Sequence, residues 1–319
     1  MGLRIVGSAY TRQSAAVETD RDGLNLCKAR ASCRVAGAVA SAGAWPRVQA
    51  GAAFRPAHPP GVNSRIILGD CCAVMRRLRA PSAQLIIADP PYFRVLGHKW
   101  DQRWPTTEAY VAWSIEWLAE AFRVLRLDGL LYCFGQLGKR EHAFLHVMSE
   151  AARRWQFHDL ITWDRTVGYN ERRDSFTPGT ELILVLRKSA RPKLNKLAVR
   201  EPYDAATIEE YLRDPRYRDK AARRRHLEQG KFATNLWRIP SLKGNNAEKC
   251  GHPTQKPIRL IERIVLSSSA PGDLVLDPFL GSGTTAVVAR KWKRRWVGIE
   301  REPAYVAMAR NRIGNEKRS

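Results

Sequence analysis

The stretch DLVLDPFLGSGTTAVVARKW, residues 273–292, constrains the fold more than any other part of the chain. An apolar run ends at an acid, Asp277, crosses a glycine-rich turn and resumes with helical spacing. Gly281, Gly283 and Ala286 meet the G-x-G-x-x-A pattern, in which glycines let a nucleoside approach the backbone. The next apolar run, RRWVGIE, ends at Glu300, seventeen residues beyond Gly283, where an acid can take ribose hydroxyls. Such a strand–turn–helix–strand unit belongs in a parallel sheet covered by helices on both faces.

Asp277 narrows the ligand. A carboxylate at that strand end repels a pyrophosphate and attracts an ammonium. A nucleoside carrying an amino acid, S-adenosylmethionine, therefore fits better than NAD.

The other strands are legible from Arg65 onward. RIILG is a short strand ending at Asp70, and LIIADPPYF (85–93) holds the next. Thr106 or Thr107 can cap a helix running to about Leu125, with Tyr110, Trp113, Trp117 and Ala121 on its core face. GLLYCFG (129–135) is a third strand, followed by a helix from about Lys139. FHDLITWD (157–164) and TELILVLRK (180–188) read as a β-pair around a polar loop. HPTQKPIRLIERIVLSSS is a loop and then a helix opening near Pro257, and 302–313 is the last helix.

Two segments break this rhythm. Residues 1–62 are small, Gly/Pro-punctuated and aperiodic, and are expected to be a poorly ordered arm. Residues 189–235 are rich in Arg and Lys with interleaved tyrosines, and read as an insertion. Between them lies 63–188, and 236–319 closes the chain. If the glycine-rich strand is first in the logic of the sheet yet last in the chain, the fold is circularly permuted. The strands ending at Asp277 and Asp89 would then be neighbours, with both ends on one cleft.

In LIIADPPYF two prolines end the strand and leave an acid, two carbonyls and a ring. An aromatic amine is a poor nucleophile because its lone pair is delocalised into the ring. It improves when acceptors hold its two hydrogens and turn the lone pair toward an electrophile. Asp89 can be one acceptor and the Pro90 carbonyl the other, while Pro91 stiffens the turn and Tyr92 offers a face for an extruded base.

Composition bounds the partner. The chain has 54 Lys+Arg against 31 Asp+Glu, a net charge of +23, which favours a polyanion, nucleic acid before membrane. Arg216, Arg218, Arg223, Arg224 and Arg225 concentrate that charge within the insertion. The six cysteines form no C-x-x-C pair, and neither His226 nor His252 has ligand spacing, so no metal is expected. A reducing, cytoplasmic setting follows, with no membrane span and no secretory signal.

ADPPYF, HPTQKP and DPFLGSGTT together resemble the permuted, beta-group DNA amino-methyltransferases, over roughly 65–188 and 235–313. The resemblance implies a Rossmann-like, S-adenosylmethionine-dependent mixed sheet, base flipping and a double-stranded DNA substrate. It assigns catalysis to Asp89, Pro90, Pro91 and Tyr92. It assigns the cofactor to Asp277, Phe279, Gly281, Ser282, Gly283 and Thr284, with Glu300 on the ribose. His252, Pro253, Thr254, Gln255 and Lys256 would line the methionine end, and Asp70 with Cys71 would face the adenine. Residues 189–235 would be the target-recognition region. ITWDR and the loop GYNERRDSFTPGTE resemble the adenine-N6 branch.

The expected function is site-specific adenine-N6 methylation of DNA. The nearest rival is cytosine-N4 methylation, in which Ser usually replaces Asp89. RNA or protein-glutamine methylation comes next. A basic nucleic-acid-binding module with a degenerate cofactor site is the non-enzymatic rival. The resemblance leaves room for a homodimer and for a cognate restriction endonuclease. His98, Trp100 and Asp101 fall just after the catalytic turn, where the family has a mobile loop; an ordinary loop cap is an equal reading for Asp101.

Overall fold

The computed structural model describes residues 63–95, 101–138, 141–166 and 176–315. The expected arm at 1–62, together with His98 and Trp100, lies outside them. Among the described residues eight strands form one sheet: β1 (Arg65–Leu68), β2 (Ala83–Ala88), β3 (Leu125–Gly135), β4 (Gln156–Asp164), β5 (Thr180–Arg187), β6 (Leu236–Arg238), β7 (Leu274–Asp277) and β8 (Arg295–Glu300). Their spatial order is β1-β8-β7-β2-β3-β5-β4-β6. Only β5 is reversed; it runs antiparallel to both β3 and β4.

The helices are α1 (Cys71–Arg76), α2 (Thr107–Val124), α3 (Ala143–Arg154), α4 (Ala205–Arg213), α5 (Lys220–Glu228), α6 (Ile258–Ser268), α7 (Thr284–Lys291) and α8 (Pro303–Asn315). Thr106 rather than Thr107 caps α2, its hydroxyl accepting from the Ala109 N–H at 3.2 Å. None of these helices is long and apolar enough to cross a membrane.

Period-two alternation divides the core between the two faces of the sheet. Ile86, Ala88, Leu131, Cys133, Leu184 and Leu276 pack with Met75 of α1, Trp117 and Ala121 of α2, and Val147 of α3. Leu85, Ile87, Leu130, Tyr132, Ile183 and Val275 pack with Leu260 and Ile264 of α6, Val288 of α7 and Ala309 of α8. All six residues of β2 are buried, as a central strand covered on both faces requires.

The permutation is present. β7 lies against β2, with Val275 beside Leu85 and Leu276 beside Ile86. From β2 the chain crosses to β3 on one side; from β7 it crosses to β8 on the other. The switch point therefore falls between β2 and β7, with Asp89 and Asp277 at its carboxyl edge.

Several boundaries differ from the sequence reading. β3 begins at Leu125, directly after α2, because Leu125 pairs with Ala83 at the start of β2. α3 begins at Ala143. α1 and β6 were not anticipated, since six and three residues are too short to show a period. Segment 189–235 holds a 3-10 turn at Lys196–Val199, then α4 and α5 packed as a hairpin.

Candidate active site

The cleft at the switch point is lined by the ends of β1, β2, β7 and β8 and by the loop before α6. Asp70 caps α1, accepting from Ala73 N–H at 3.1 Å, and Cys71 sits beside it at the cleft wall. A hydrogen bond to Cys72 and burial both push the Cys71 thiol up. Asp70 lies next to Glu300 because β1 pairs with β8, Leu68 opposite Glu300.

Glu300 is used by the turn itself. Its Oε2 accepts the Gly281 N–H at 2.8 Å, and its Oε1 accepts from Arg301 and Glu302 N–H. Gly281 has φ +49, and a Cβ there would stand 3.1 Å from His252 Nε2. Its missing side chain thus brings the turn against the HPTQKP loop, with His252 in turn against Tyr305. Phe279, Ser282, Thr284, Thr254 and Gln255 also line the cleft.

Two expected cofactor residues do not line it. Gly283, at φ +79, faces away: a Cβ there would meet the Ala309 Cβ at 3.1 Å, so its smallness serves the packing of α8 on α7. Pro253 is exposed and turned from the cleft.

Asp277 is buried at the end of β7 and pushed up to about 7, first by burial, against hydrogen bonds from Thr285 and the Phe279 N–H. The charges that reach it, Asp89 and Glu300, are both negative and add to the rise.

Asp89 and its turn are held from several sides. The Tyr110 hydroxyl donates to the Pro91 carbonyl at 3.0 Å, and Pro90 lines the cleft. Tyr92 is buried, its hydroxyl 2.8 Å from Asp89 Oδ1 and 3.1 Å from Glu181 Oε2. Lys256 extends from the HPTQKP loop, and its ammonium stands 2.8 Å from each Asp89 oxygen. The sequence reading placed Lys256 along the cofactor; the structure gives its charged end to Asp89 while the residue still borders the cleft. Burial pushes Asp89 up, Lys256 pulls it back, and Glu181 raises it again.

Glu181, on the Tyr92 hydroxyl, was missed, as were Arg103, Trp113, Arg301, Glu302 and Tyr305 at the cleft. Glu181 is the second residue of β5, the reversed strand, whose first residues lie at the same edge as the last residues of β2. The available signal was an acid opening the apolar run ELILVL, but only the reversal gives it meaning. Asp101 is fully buried, and its carbonyl accepts from Arg94 N–H.

The five arginines sit on the α4–α5 hairpin, away from this cleft. Arg216 pairs with Asp214, and Arg224 with Glu209. Arg223 stacks on Tyr217 at 3.9 Å. Arg218 and Arg225 are exposed, with no side-chain partner among the described residues.

A family model described as DNA methylase, of the N6/N4 amino-methyltransferases, matches residues 83–311. The chain belongs to this DNA methylase family. Its curated relatives include the type II methyltransferase M.HpaI of Haemophilus parainfluenzae, 30% identical over 258 residues, covering 80% of this chain and 76% of that one. Among solved structures it resembles the cytosine-N4-specific PvuII DNA methyltransferase at a TM-score of 0.59 and 18% identity, a likeness of fold, covering 81% of this chain and 91% of that one. It also resembles TTHA0409 of Thermus thermophilus, a putative DNA modification methylase solved with S-adenosyl-L-methionine, at a TM-score of 0.52 and 26% identity over 79% and 95% of the two chains. The methyl donor of the family is S-adenosylmethionine. The carboxyl-rich wall at Asp277 and Glu300 suits its ammonium and ribose, and the close-packed Gly281 turn suits its approach.

Proposed function

We propose that this DNA methylase transfers a methyl group to the N6 amine of an adenine flipped out of duplex DNA. The observation that carries the reading is the pairing of β2 with β7, which brings the acceptor turn of Asp89 and the cofactor turn of Gly281 onto one cleft. S-adenosylmethionine, when bound, supplies a methyl on a sulfonium already activated for displacement. Asp277 and Glu300 would hold its ammonium and ribose, with Gly281, Ser282 and Thr284 at the turn and Asp70 and Cys71 near the adenine.

Asp89 accepts one N–H of the target amine and the Pro90 carbonyl accepts the other. As the amine gains positive charge the Asp89 interaction strengthens, which is where catalysis is obtained. The methylated amine is then strongly acidic, and Asp89 is in reach of its proton. Tyr92 supports the extruded ring. The adenine branch is favoured by an acid, not a serine, opening the DPPY turn, and by the resemblance of ITWDR and GYNERRDSFTPGTE.

Residues 189–235 serve as the target-recognition region, with Arg218 and Arg225 on phosphates. On the likeness to a type II methyltransferase, the reading extends to a cognate restriction endonuclease. The test is to express the protein, digest the host DNA to nucleosides and measure N6-methyladenine against N4-methylcytosine by mass spectrometry. N6-methyladenine is expected; N4-methylcytosine alone would overturn the base assignment.

A further inference from the structure

Lys256 is the one lysine among the described residues that the fold buries. Its ammonium lies 2.8 Å from both oxygens of Asp89, 3.5 Å from Glu181 Oε2 and 3.3 Å from the Tyr92 hydroxyl. The rings of Tyr92, Phe134 and Trp163 stand around it, with centroids 5.4, 5.3 and 6.0 Å away. Arg165 reaches the far oxygen of Glu181 at 3.4 Å. A lysine needed only to touch a cofactor would not require two buried carboxylates and three aromatic faces.

We propose that Lys256 is a positioning residue for methyl transfer, which holds Asp89 as an ionised acceptor and leaves one lone pair of Asp89 Oδ2 for the incoming amine. The proposal rests on the reading of Asp89 as the acceptor of that amine. A carboxylate offers about four acceptor sites. Lys256 and the Tyr92 hydroxyl occupy two on Oδ1, and Lys256 occupies one on Oδ2. Were Asp89 protonated, its O–H would confront the N–H it must accept.

The surroundings favour that protonation unless Lys256 is present. Asp89 faces Tyr92 from its own turn, Tyr110 from α2, Cys133 from β3, Glu181 from β5 and Asp277 from β7. None of these supplies a positive charge. Glu181 shares the Tyr92 hydroxyl with Asp89, and its negative charge opposes the ionisation of Asp89. Lys256 stays charged in spite of its burial because Asp89 and Glu181 together raise it. Glu181 is the second anchor: its Oε2 stands 3.5 Å from the ammonium, and Arg165 pairs with its other oxygen.

The test compares pH–rate profiles of single-turnover methylation in wild type, Lys256→Met and Glu181→Gln, with S-adenosylmethionine titrated into each. In Lys256→Met the acid limb should move up by more than one pH unit, with part of the rate recovered at high pH or on adding methylammonium. In Glu181→Gln, which removes a like charge, the limb should move down. Opposite shifts are not what structural damage produces, and the second variant decides the matter if the first does not fold. Unshifted limbs with a uniformly weaker S-adenosylmethionine affinity would overturn the proposal and return Lys256 to the cofactor. Asp89→Ala at near wild-type rate would instead sink the reading of Asp89 itself, whatever the other two variants show.

Discussion

Asp89 and Asp277 close neighbouring parallel strands, yet their charges are handled in opposite ways. Asp89 is neutralised within the protein by Lys256, 2.8 Å away. Among the described residues, hydrogen-bond donors and two further carboxylates act on Asp277, and burial lifts it to about 7. One acid has its counter-ion built into the fold; the other does not.

For Asp89 the expectation is a loss in turnover, not in affinity. Asp89→Ala should lower single-turnover methylation by ~10²–10³, the usual cost of one preorganised partner. Asp89→Asn should also be poor, since its NH₂ presents donors to a donor, while Asp89→Ser should keep a trace. The S-adenosylmethionine dissociation constant should stay within a few fold in all three. A variant that loses the cofactor instead would move Asp89 to the cofactor site.

On the proposed reading, Asp277 should make cofactor binding pH-dependent. Its folded pKa lies above the ordinary 3.8, so the stability it contributes is full at low pH and is lost as pH rises through about 7. A bound ammonium needs the ionised form, so binding should release a proton. Affinity should weaken by about tenfold per pH unit below about 7. Calorimetry in buffers of different ionisation enthalpy counts that proton. Asp277→Asn should bind more weakly and without this pH dependence; an unchanged slope in the variant would show that the proton comes from elsewhere.

Gly281 and Gly283 should fail differently. Gly281→Ala drives a methyl toward His252 at the cleft wall and should weaken S-adenosylmethionine binding. Gly283→Ala drives one into Ala309 at a positive φ and should cost about 1–3 kcal/mol of stability. Thermal melts beside cofactor titrations separate the two, and equal effects at both sites would contradict the assigned faces.

Tyr92 has a ring for the base and a hydroxyl for Asp89. Tyr92→Ala should lose both, while Tyr92→Phe keeps the stacking face, worth ~1–3 kcal/mol per base. Turnover should fall further in Tyr92→Ala than in Tyr92→Phe. With wild type, 2-aminopurine at the target position should brighten; a dark probe at saturating protein argues against flipping.

Arg218 and Arg225 are exposed and without side-chain partners among the described residues, unlike Arg216 and Arg224. Reversing both charges should lower the slope of log K against log salt by about 2, close to one per lost phosphate contact. S-adenosylmethionine affinity should not change. An unaltered salt slope would place the phosphate-contacting face off the α4–α5 hairpin.

The sequence by itself determined seven of the eight described strands, the glycine turn and the tetrapeptide. Each is a local pattern: an unbroken apolar run for LIIA, a glycine where φ is positive at Gly281, two prolines that end β2 at Asp89. The late place of the glycine-rich strand in the chain raised the permutation, and the pairing of β7 with β2 bears it out. Tertiary structure alone decided the rest. Glu181 reaches the site only because β5 runs backwards, so that the start of one strand meets the ends of others. Gly283 and Gly281 are two residues apart, and only the packing of α8 shows that one serves a helix and the other the cleft. Lys256 finds Asp89 across a separation of 167 residues, which no local pattern encodes. Local sequence fixes backbone geometry through short-range sterics and hydrogen bonds, whereas a buried charge is defined by whichever distant groups the sheet brings within Coulomb range.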